Sequence, residues 1–266
     1  MQCRFIDTGI NDCFTNMAID EALLESNIPI LRFYQWKPKA VSIGYNQNIN
    51  KEVNISYCKK NKIGIVRRIT GGKAILHDKE LTYSFIIPEK TSLLPKDIVK
   101  SYRIIAKALL IGLKKLKINV EMKKINEKIK TPICFNSANW YELTVNNKKI
   151  SGSAQRRLKG KILQHGSILI DFDYEQNNNI SNSNNKIDSI ENLKQRITSI
   201  KNESNEKISI KKFKKEIKNG FEEHFKFELT NDSLNTEEKI LTNKLLKEKY
   251  KTLEWNQKFL SAVCKN

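Results

Sequence analysis

Apolar residues recur along the chain with two different periods, and the switches between them lay out its elements. The opening "CRFID" is short and half apolar, as a strand would be. In "CFTNMAIDEALLES" the side chains Phe14, Met17, Ala18 and Leu24 fall near one helical face with Ala22 beside them, and Asn11 or Asp12 can cap that helix. "ILRFYQW" alternates in the manner of a strand, "AVSIGY" follows after Pro38, and "IGIVRR" at 63–68 is another short apolar strand. "RRITGGKAILHDKELTYSFII" reads as strand end, glycine turn, strand, turn and strand. The clearest helix spans 97–117, where Ile98, Tyr102, Ile105, Leu109 and Leu113 recur at three- and four-residue spacing, the other face is basic, and Asp97 can cap.

Further on, "YELTVNNKKISGSAQ" predicts a hairpin, because Asn146-Asn147 tolerates the positive φ of a two-residue turn. "GKILQHGSILID" completes the strand-rich part. The tract "EQNNNISNSNNK" is too poor in apolar residues to form core and reads as a surface insertion or connection. From about 209 to 260 the chain turns helical and charged, with Gly220 a point of interruption in the first helix there. No fixed-period repeat is visible. The expected domain organisation is a core over 1–175, a polar connecting segment over 176–207, and a C-terminal helical part over 208–266 packed on the same domain. Hairpins are prominent and regular strand–helix alternation is absent, which favours an α+β fold with a mixed or antiparallel sheet and flanking helices over a doubly wound one.

Composition narrows the function classes. Hydrophobic residues make up 39% of 266, enough for a real core. No run of about eighteen apolar residues suggests a membrane span, and "MQCRFIDTGI" lacks the basic-then-apolar pattern of a secretion signal, so a cytoplasmic protein is expected. Lys and Arg outnumber Asp and Glu to give a net charge of +19. Such a balance attracts acidic partners, although lysine and asparagine are enriched almost everywhere rather than in one patch. Five cysteines, with no C-x-x-C pair, and three histidines argue against a disulfide framework or a metal centre.

Three places carry candidate chemistry. Cys134, in "TPICFNSANW", has no second cysteine nearby; a nucleophilic cysteine there needs a positive neighbour to hold its thiolate near neutral pH. If Val145 pairs Lys148 across the hairpin, Thr144 faces Lys149, and the two lysines point to opposite faces. One can then face water while the other reaches toward Cys134; spacing leaves open which, and two solvated lysines beside a turn is the competing reading. Gly152, between Ser151 and Ser153, suggests close backbone approach, with amides suited to an oxyanion. The third place is Arg67-Arg68-Ile-Thr-Gly71-Gly72, where paired glycines let main chain lie against a ligand. It is neither a P-loop nor a G-x-G-x-x-G fingerprint. His77 is a candidate base, or a strand histidine that is merely hydrogen-bonded.

Taken together these segments resemble a known family. "RRITGGKAILHDKELTYSF" resembles the R-R-x-x-G-G-x-A-x-x-H-D signature of the biotin and lipoate protein ligase superfamily. "CFNSANWYELTVNNKKISGSAQRRLKGKILQHGSI", "RFIDTG" and "NMAIDEALLE" resemble its cysteine-dependent octanoyltransferases, and "KYKTLEW" echoes them weakly. The resemblance implies the catalytic-domain architecture shared by those ligases and related to class II aminoacyl-tRNA synthetases. It implies transfer of an octanoyl group from octanoyl-acyl carrier protein to a lysine of a lipoyl-type domain, typically glycine cleavage system H protein, with no cofactor, metal, nucleic acid or membrane and as a monomer. Cys134 matches the acyl-accepting cysteine and Lys149 the lysine that lowers its pKa, while Arg67, Arg68, Gly71, Gly72, His77, Gly152 and Ser153 would bind substrate. His77 and His165 are candidates to deprotonate the acceptor lysine. Lys73 stands where ATP-using ligases carry a third glycine, and Asn136 and Ala138 stand where the subset has an acidic residue and a proline. An ATP-dependent lipoate-protein ligase is the nearest rival reading, and a basic nucleic-acid-binding module a remote one.

Overall fold

The computed structural model describes residues 2–124, 141–182 and 190–257. Strand β1 (Cys3–Asn11) leads into helix α1 (Cys13–Ala22) and a 3₁₀ turn at Leu23–Glu25. Of the two caps expected, Asp12 is the one used: its carboxylate accepts from the Phe14 and Thr15 amides. Strands β2 (Ile30–Trp36) and β3 (Ala40–Ile43) precede two short helices, α2 (Ile49–Glu52) and α3 (Ile55–Lys60). Then come β4 (Gly64–Arg67), β5 (Ile75–His77) and β6 (Glu80–Pro88), the strands expected around the glycine turn. Helix α4 (Ile98–Lys115) is capped by Asp97; Ile105, Leu109 and Leu113 are buried while Ile98, in the first turn, stays 52% exposed.

Strands β7 (Glu121–Lys124), β8 (Tyr141–Val145) and β9 (Lys148–Lys149) pair with one another, and β10 (Ser151–Leu158) and β11 (Lys161–Leu169) form the next hairpin. The rest is α5 (Tyr174–Asn179), α6 (Ile190–Arg196), α7 (Ile200–Glu203), α8 (Ile210–Phe225), β12 (Leu229–Asp232), α9 (Thr236–Leu245) and α10 (Leu253–Gln257). Among the described residues six strands make one mixed sheet in the order β10-β11-β6-β2-β1-β12, with β1 parallel to β2 and β12 and the other pairings antiparallel. A small sheet of order β4-β3-β5 stands beside it. The fold is thus α+β, with a mixed sheet and flanking helices, as the patterning indicated.

The period-two alternation of the central strands assigns the two faces. Leu31 and Phe33 of β2, and Leu81, Tyr83, Phe85 and Ile87 of β6, pack with α4 and α8 in the larger core. Ile30, Tyr34, Trp36 and Ile86 take the other face and pack beneath α1. That second face also carries Arg32, Glu80, Thr82 and Ser84, all buried. A polar stripe enclosed in this way is where a site is to be sought.

Three expectations are corrected. Helix α8 runs unbroken through Gly220: a Cβ there would lie 2.5 Å from Gly112 N of α4, so the glycine marks a close helix crossing and not a break. The asparagine-rich tract contributes helix α5, and Ile180 just beyond it is buried against Val53 and Ile63. The C-terminal region, read as helical throughout, contains β12, whose parallel partner β1 lies more than two hundred residues away and leaves no local mark.

Candidate active site

The cleft forms where the polar face of the main sheet meets α1 and the small sheet. It is a narrow, half-open slot. Its walls are largely apolar: Met17 of α1, Tyr34 and Trp36 of β2, Ile75 of β5 and Ala154 of β10. Polar groups enter at a few points, namely Ser42, Arg68, His77, Thr82, Gly152, Ser153, His165 and Ser167. An apolar slot with a few convergent polar groups suits a short acyl chain joined to a reactive carbonyl.

Strand register brings these groups together. His165 lies opposite Ser84, and Ser167 opposite Thr82, across the β11–β6 ladder. Gly152 and Ser153, on the sheet's edge strand β10, oppose Ser167 and Gly166. The close approach suggested for Gly152 is met from the other side: a Cβ on Gly166 would overlap Ser153 Oγ, with the Gly152 carbonyl oxygen 2.5 Å away. Ser153 Oγ also shares a 2.8 Å hydrogen bond with Tyr83 OH.

The glycine loop is held by Arg68. Its guanidinium donates to Gly71 O at 2.7 Å, Lys73 O at 2.8 Å and Ser42 O at 2.9 Å. Gly72 has φ of +91°, and a Cβ on it would press on the Arg68 guanidinium at 2.8 Å, so both the backbone and the space demand glycine. Gly71 and Gly72 thus shape the loop from which Arg68 reaches the cleft. Arg67, expected beside the ligand, is used differently. It donates to Gly44 O, Tyr45 O and Gln47 O on one side and to Trp255 O on the other. Its amide meets Asn256 Oδ1 at 2.8 Å. Arg67 therefore ties α10 to the loop after β3 and is not among the cleft-lining residues.

Two histidine networks lie side by side. His77 Nδ1 is 2.6 Å from Glu80 Oε1 and its Nε2 is 2.8 Å from Ser42 Oγ, while Trp36 stacks on the ring at 3.8 Å. His165 Nδ1 is 3.0 Å from Asp20 Oδ2 and its Nε2 is 2.6 Å from Thr70 Oγ1. Asp20 also takes Arg32 Nη1 at 2.6 Å and the Tyr34 hydroxyl at 2.9 Å. Burial alone would raise the Asp20 pKa, but Arg32 and His165 outweigh it and hold the carboxyl below its usual range. Burial wins at His165 and pushes its pKa down, against the pull of Asp20.

The hairpin after β8 has the register expected: Val145 pairs Lys148, Thr144 pairs Lys149, and Asn146 and Asn147 both have positive φ. Lys149 is the inward lysine, 3% exposed, with Nζ 2.7 Å from Glu142 Oε1; Lys148 is half-buried. The Lys149 carbonyl accepts from Thr198 N at 2.9 Å, so the segment between α6 and α7 braces the hairpin. Cys134 lies outside the described residues. Cys3, Cys13 and Cys58 are buried, and burial pushes their thiols up to about 12, 12 and 11, which makes them inert.

Sequence reading missed Asp20, Arg32, Ser42, Glu80 and Glu142. A signal existed for some of them. Asn16 and Asp20 sit on the apolar side of α1, and Arg32 interrupts the apolar positions of β2. Among the described residues no cluster of His, Cys, Asp and Glu is arranged to hold a metal ion, and no described helix is long and apolar enough to cross a membrane.

Comparison with known proteins agrees with this arrangement. The octanoyltransferase LipM of Staphylococcus aureus (strain NCTC 8325) is 40% identical over 268 residues, covering 95% of this chain and 97% of that protein. The octanoyltransferase LipM of Bacillus subtilis (strain 168) is 38% identical over 271 residues, covering 96% and 98%. A crystal structure of lipoate-protein ligase A bound with ATP matches with a TM-score of 0.82 at 26% identity, over 98% of this chain and all of that one. The bi-partite lipoate protein ligase of Thermoplasma acidophilum, studied with its E2 lipoyl domain, matches with a TM-score of 0.83 at 26% identity, over 98% of each chain. The model of the lipoyl protein ligase A/B catalytic domain spans residues 12–222, from the cap of α1 through most of α8, and so takes in the whole cleft: the chain belongs to that family.

Proposed function

We propose that this protein is an octanoyltransferase, moving an octanoyl group from octanoyl-acyl carrier protein to a lysine of a lipoyl-type domain such as glycine cleavage system H protein, in the cytoplasm. The observation that carries this reading is the near-full-length likeness, at 38–40% identity, to proteins of that activity. The cleft supports it, since its apolar walls with a few polar groups suit a short acyl chain.

The mechanism runs through Cys134. Its thiolate attacks the thioester carbonyl of the carrier, the new C–S bond forms as the old one breaks, and the carrier's pantetheine leaves as a thiolate. Exchange between two thioesters is close to isoenergetic, so loading needs no nucleotide. The acceptor amine then attacks the acyl-cysteine and the sulfur leaves, giving an amide in a downhill step. In this reading the buried Lys149 ammonium stabilises the Cys134 thiolate, and Glu142 holds that ammonium in place. Arg68, Gly152 and Ser153 line the cleft that takes the acyl group and its carbonyl, while Gly71 and Gly72, which are not among the lining residues, shape the loop that Arg68 holds. The net charge of +19 favours encounter with acidic carrier and lipoyl domains.

Intact-mass analysis after mixing the protein with octanoyl-acyl carrier protein, without nucleotide, tests this. One octanoyl adduct mapped to the Cys134 peptide is expected. No adduct, together with strict dependence on ATP and free octanoate, would instead make the protein a ligase, the activity of its structural neighbour bound with ATP.

A further inference from the structure

The amide-forming step needs a group to take a proton from the attacking lysine, and two histidines lie at the cleft. We infer that His77, supported by Glu80 and reached through the Ser42 hydroxyl, is the proton acceptor for the incoming amine. This deepens the octanoyltransferase reading and rests on it.

The geometry separates the two imidazoles. His165 is capped at both nitrogens, by Asp20 and Thr70, neither of which lines the cleft. His77 is built differently. Glu80 Oε1 accepts from Thr82 Oγ1 and Ser167 Oγ, each at 2.6 Å, as well as facing His77 Nδ1 at 2.6 Å. An oxygen receiving two hydroxyl hydrogens takes the third from Nδ1–H, which leaves the lone pair on Nε2. That lone pair faces Ser42 Oγ at 2.8 Å, and Ser42 lines the cleft. The Trp36 ring, stacked flat on His77 and fixed by its own bond to Thr82 Oγ1 at 2.7 Å, prevents the imidazole from turning away.

The charged groups around His77 set the direction of traffic. Glu80 is 1% exposed, and its Oε2 has no hydrogen-bond partner among the described residues, so a positive charge arriving on the imidazole is favoured from that side. Arg68, whose Nη1 is 3.1 Å from Ser42 Oγ, opposes that charge from the other side. Asp20 and Arg32 form a closed pair next to His165, and the Tyr34 hydroxyl is spent on Asp20.

The step balances as follows. The lysine arrives as a free amine, having left one proton in water. Its nitrogen bonds the acyl carbon and becomes cationic. The carbonyl pair moves onto oxygen, and an N–H proton of the cationic nitrogen passes to Ser42 Oγ while the Ser42 hydrogen passes to His77 Nε2; the oxygen pair then returns to re-form the carbonyl. The C–S bond breaks, the sulfur leaves as a thiolate, and His77 returns the proton to solvent.

The test separates loading from transfer. Octanoyl-enzyme is formed with octanoyl-acyl carrier protein, then chased with a lipoyl domain or with hydroxylamine, whose attacking nitrogen is acidic enough to need no base. His77→Gln and Ser42→Ala are each expected to slow transfer to the lipoyl domain by about 100-fold or more, far more than they slow loading. Hydroxylamine should cleave the acyl-enzyme nearly as fast as in the unaltered protein, and added imidazole should restore part of the lost rate in His77→Gln. Equal losses with both acceptors, or undiminished transfer to the lipoyl domain, would overturn the relay. Failure of the unaltered protein to form the adduct would overturn the octanoyltransferase reading, and the relay with it.

Discussion

Replacing Gly220 by alanine sets two opposing effects of known size against each other. In an isolated helix alanine is favoured over glycine by about 1 kcal/mol. Here α8 crosses α4 backbone to backbone. A Cβ on Gly220 would lie 2.5 Å from Gly112 N and 2.9 Å from Gly112 Cα, with the Ala108 carbonyl oxygen closer still. All three are main-chain atoms, so no side chain can swing aside and the helices must part. Parting them loosens the core between Ile105, Leu109 and Leu113 on one side and Phe213, Ile217 and Phe221 on the other. Overpacking of this kind costs about 1–3 kcal/mol, and an immovable neighbour puts it at the upper end. The balance is a destabilisation of about 2 kcal/mol, a fall in Tm of roughly 4–8 °C for a chain of this size. Urea unfolding should show a lower midpoint with an unchanged slope. A Gly220→Ala protein as stable as the unaltered one, or more stable, would mean that propensity outweighs the crossing and that the close approach is not real.

Other perturbations address the site. Asp20→Asn removes the counter-ion of Arg32, which is fully buried; a loss of about 3–5 kcal/mol is expected in urea unfolding, and a loss under about 1 kcal/mol would contradict the pairing. The lowered pKa of His165 means that the unfolded chain binds the extra proton first, so stability is whole above about pH 6.5 and falls as the pH drops below it. A His165→Asn variant should show a flatter stability curve just below that pH, and an unchanged curve would refute the assignment. Asp20, whose pKa is depressed, adds a second loss beginning near pH 3.9 and continuing below it. Lys149→Ala should move the alkylation profile of the Cys134 thiol about one to three pH units higher, read by mapping the modified peptide; an unshifted curve counts against the role proposed for Lys149.

What the sequence disclosed and what it hid divide along the range of the interactions. The asparagine turn fixed the pairing of Thr144 with Lys149, because a two-residue loop leaves register no freedom, but it left open which of the two lysines points inward. The capping of α1 and α4 was equally local. Arg67 was misplaced because its partners are Trp255 and Asn256, some 188 residues on. The histidine networks join Asp20 to His165 and Ser42 to His77 across 145 and 35 residues, and no spacing rule spans those distances. Yet β6 carried a clue of its own. Glu80, Thr82 and Ser84 alternate with Leu81, Tyr83 and Phe85, a pattern that ordinarily means one face in water. Every residue of that strand is buried. A half-polar strand at the centre of a sheet must find partners internally, and Glu80 Oε1 and Thr82 do so with Ser167, His77 and Trp36, whose combined bonds leave one imidazole nitrogen turned toward the serine at the cleft. The alternation that lets the sheet pack on α4 and α8 with one side thus supplies, with the other, the enclosed polar surface that an acyl-transfer site requires.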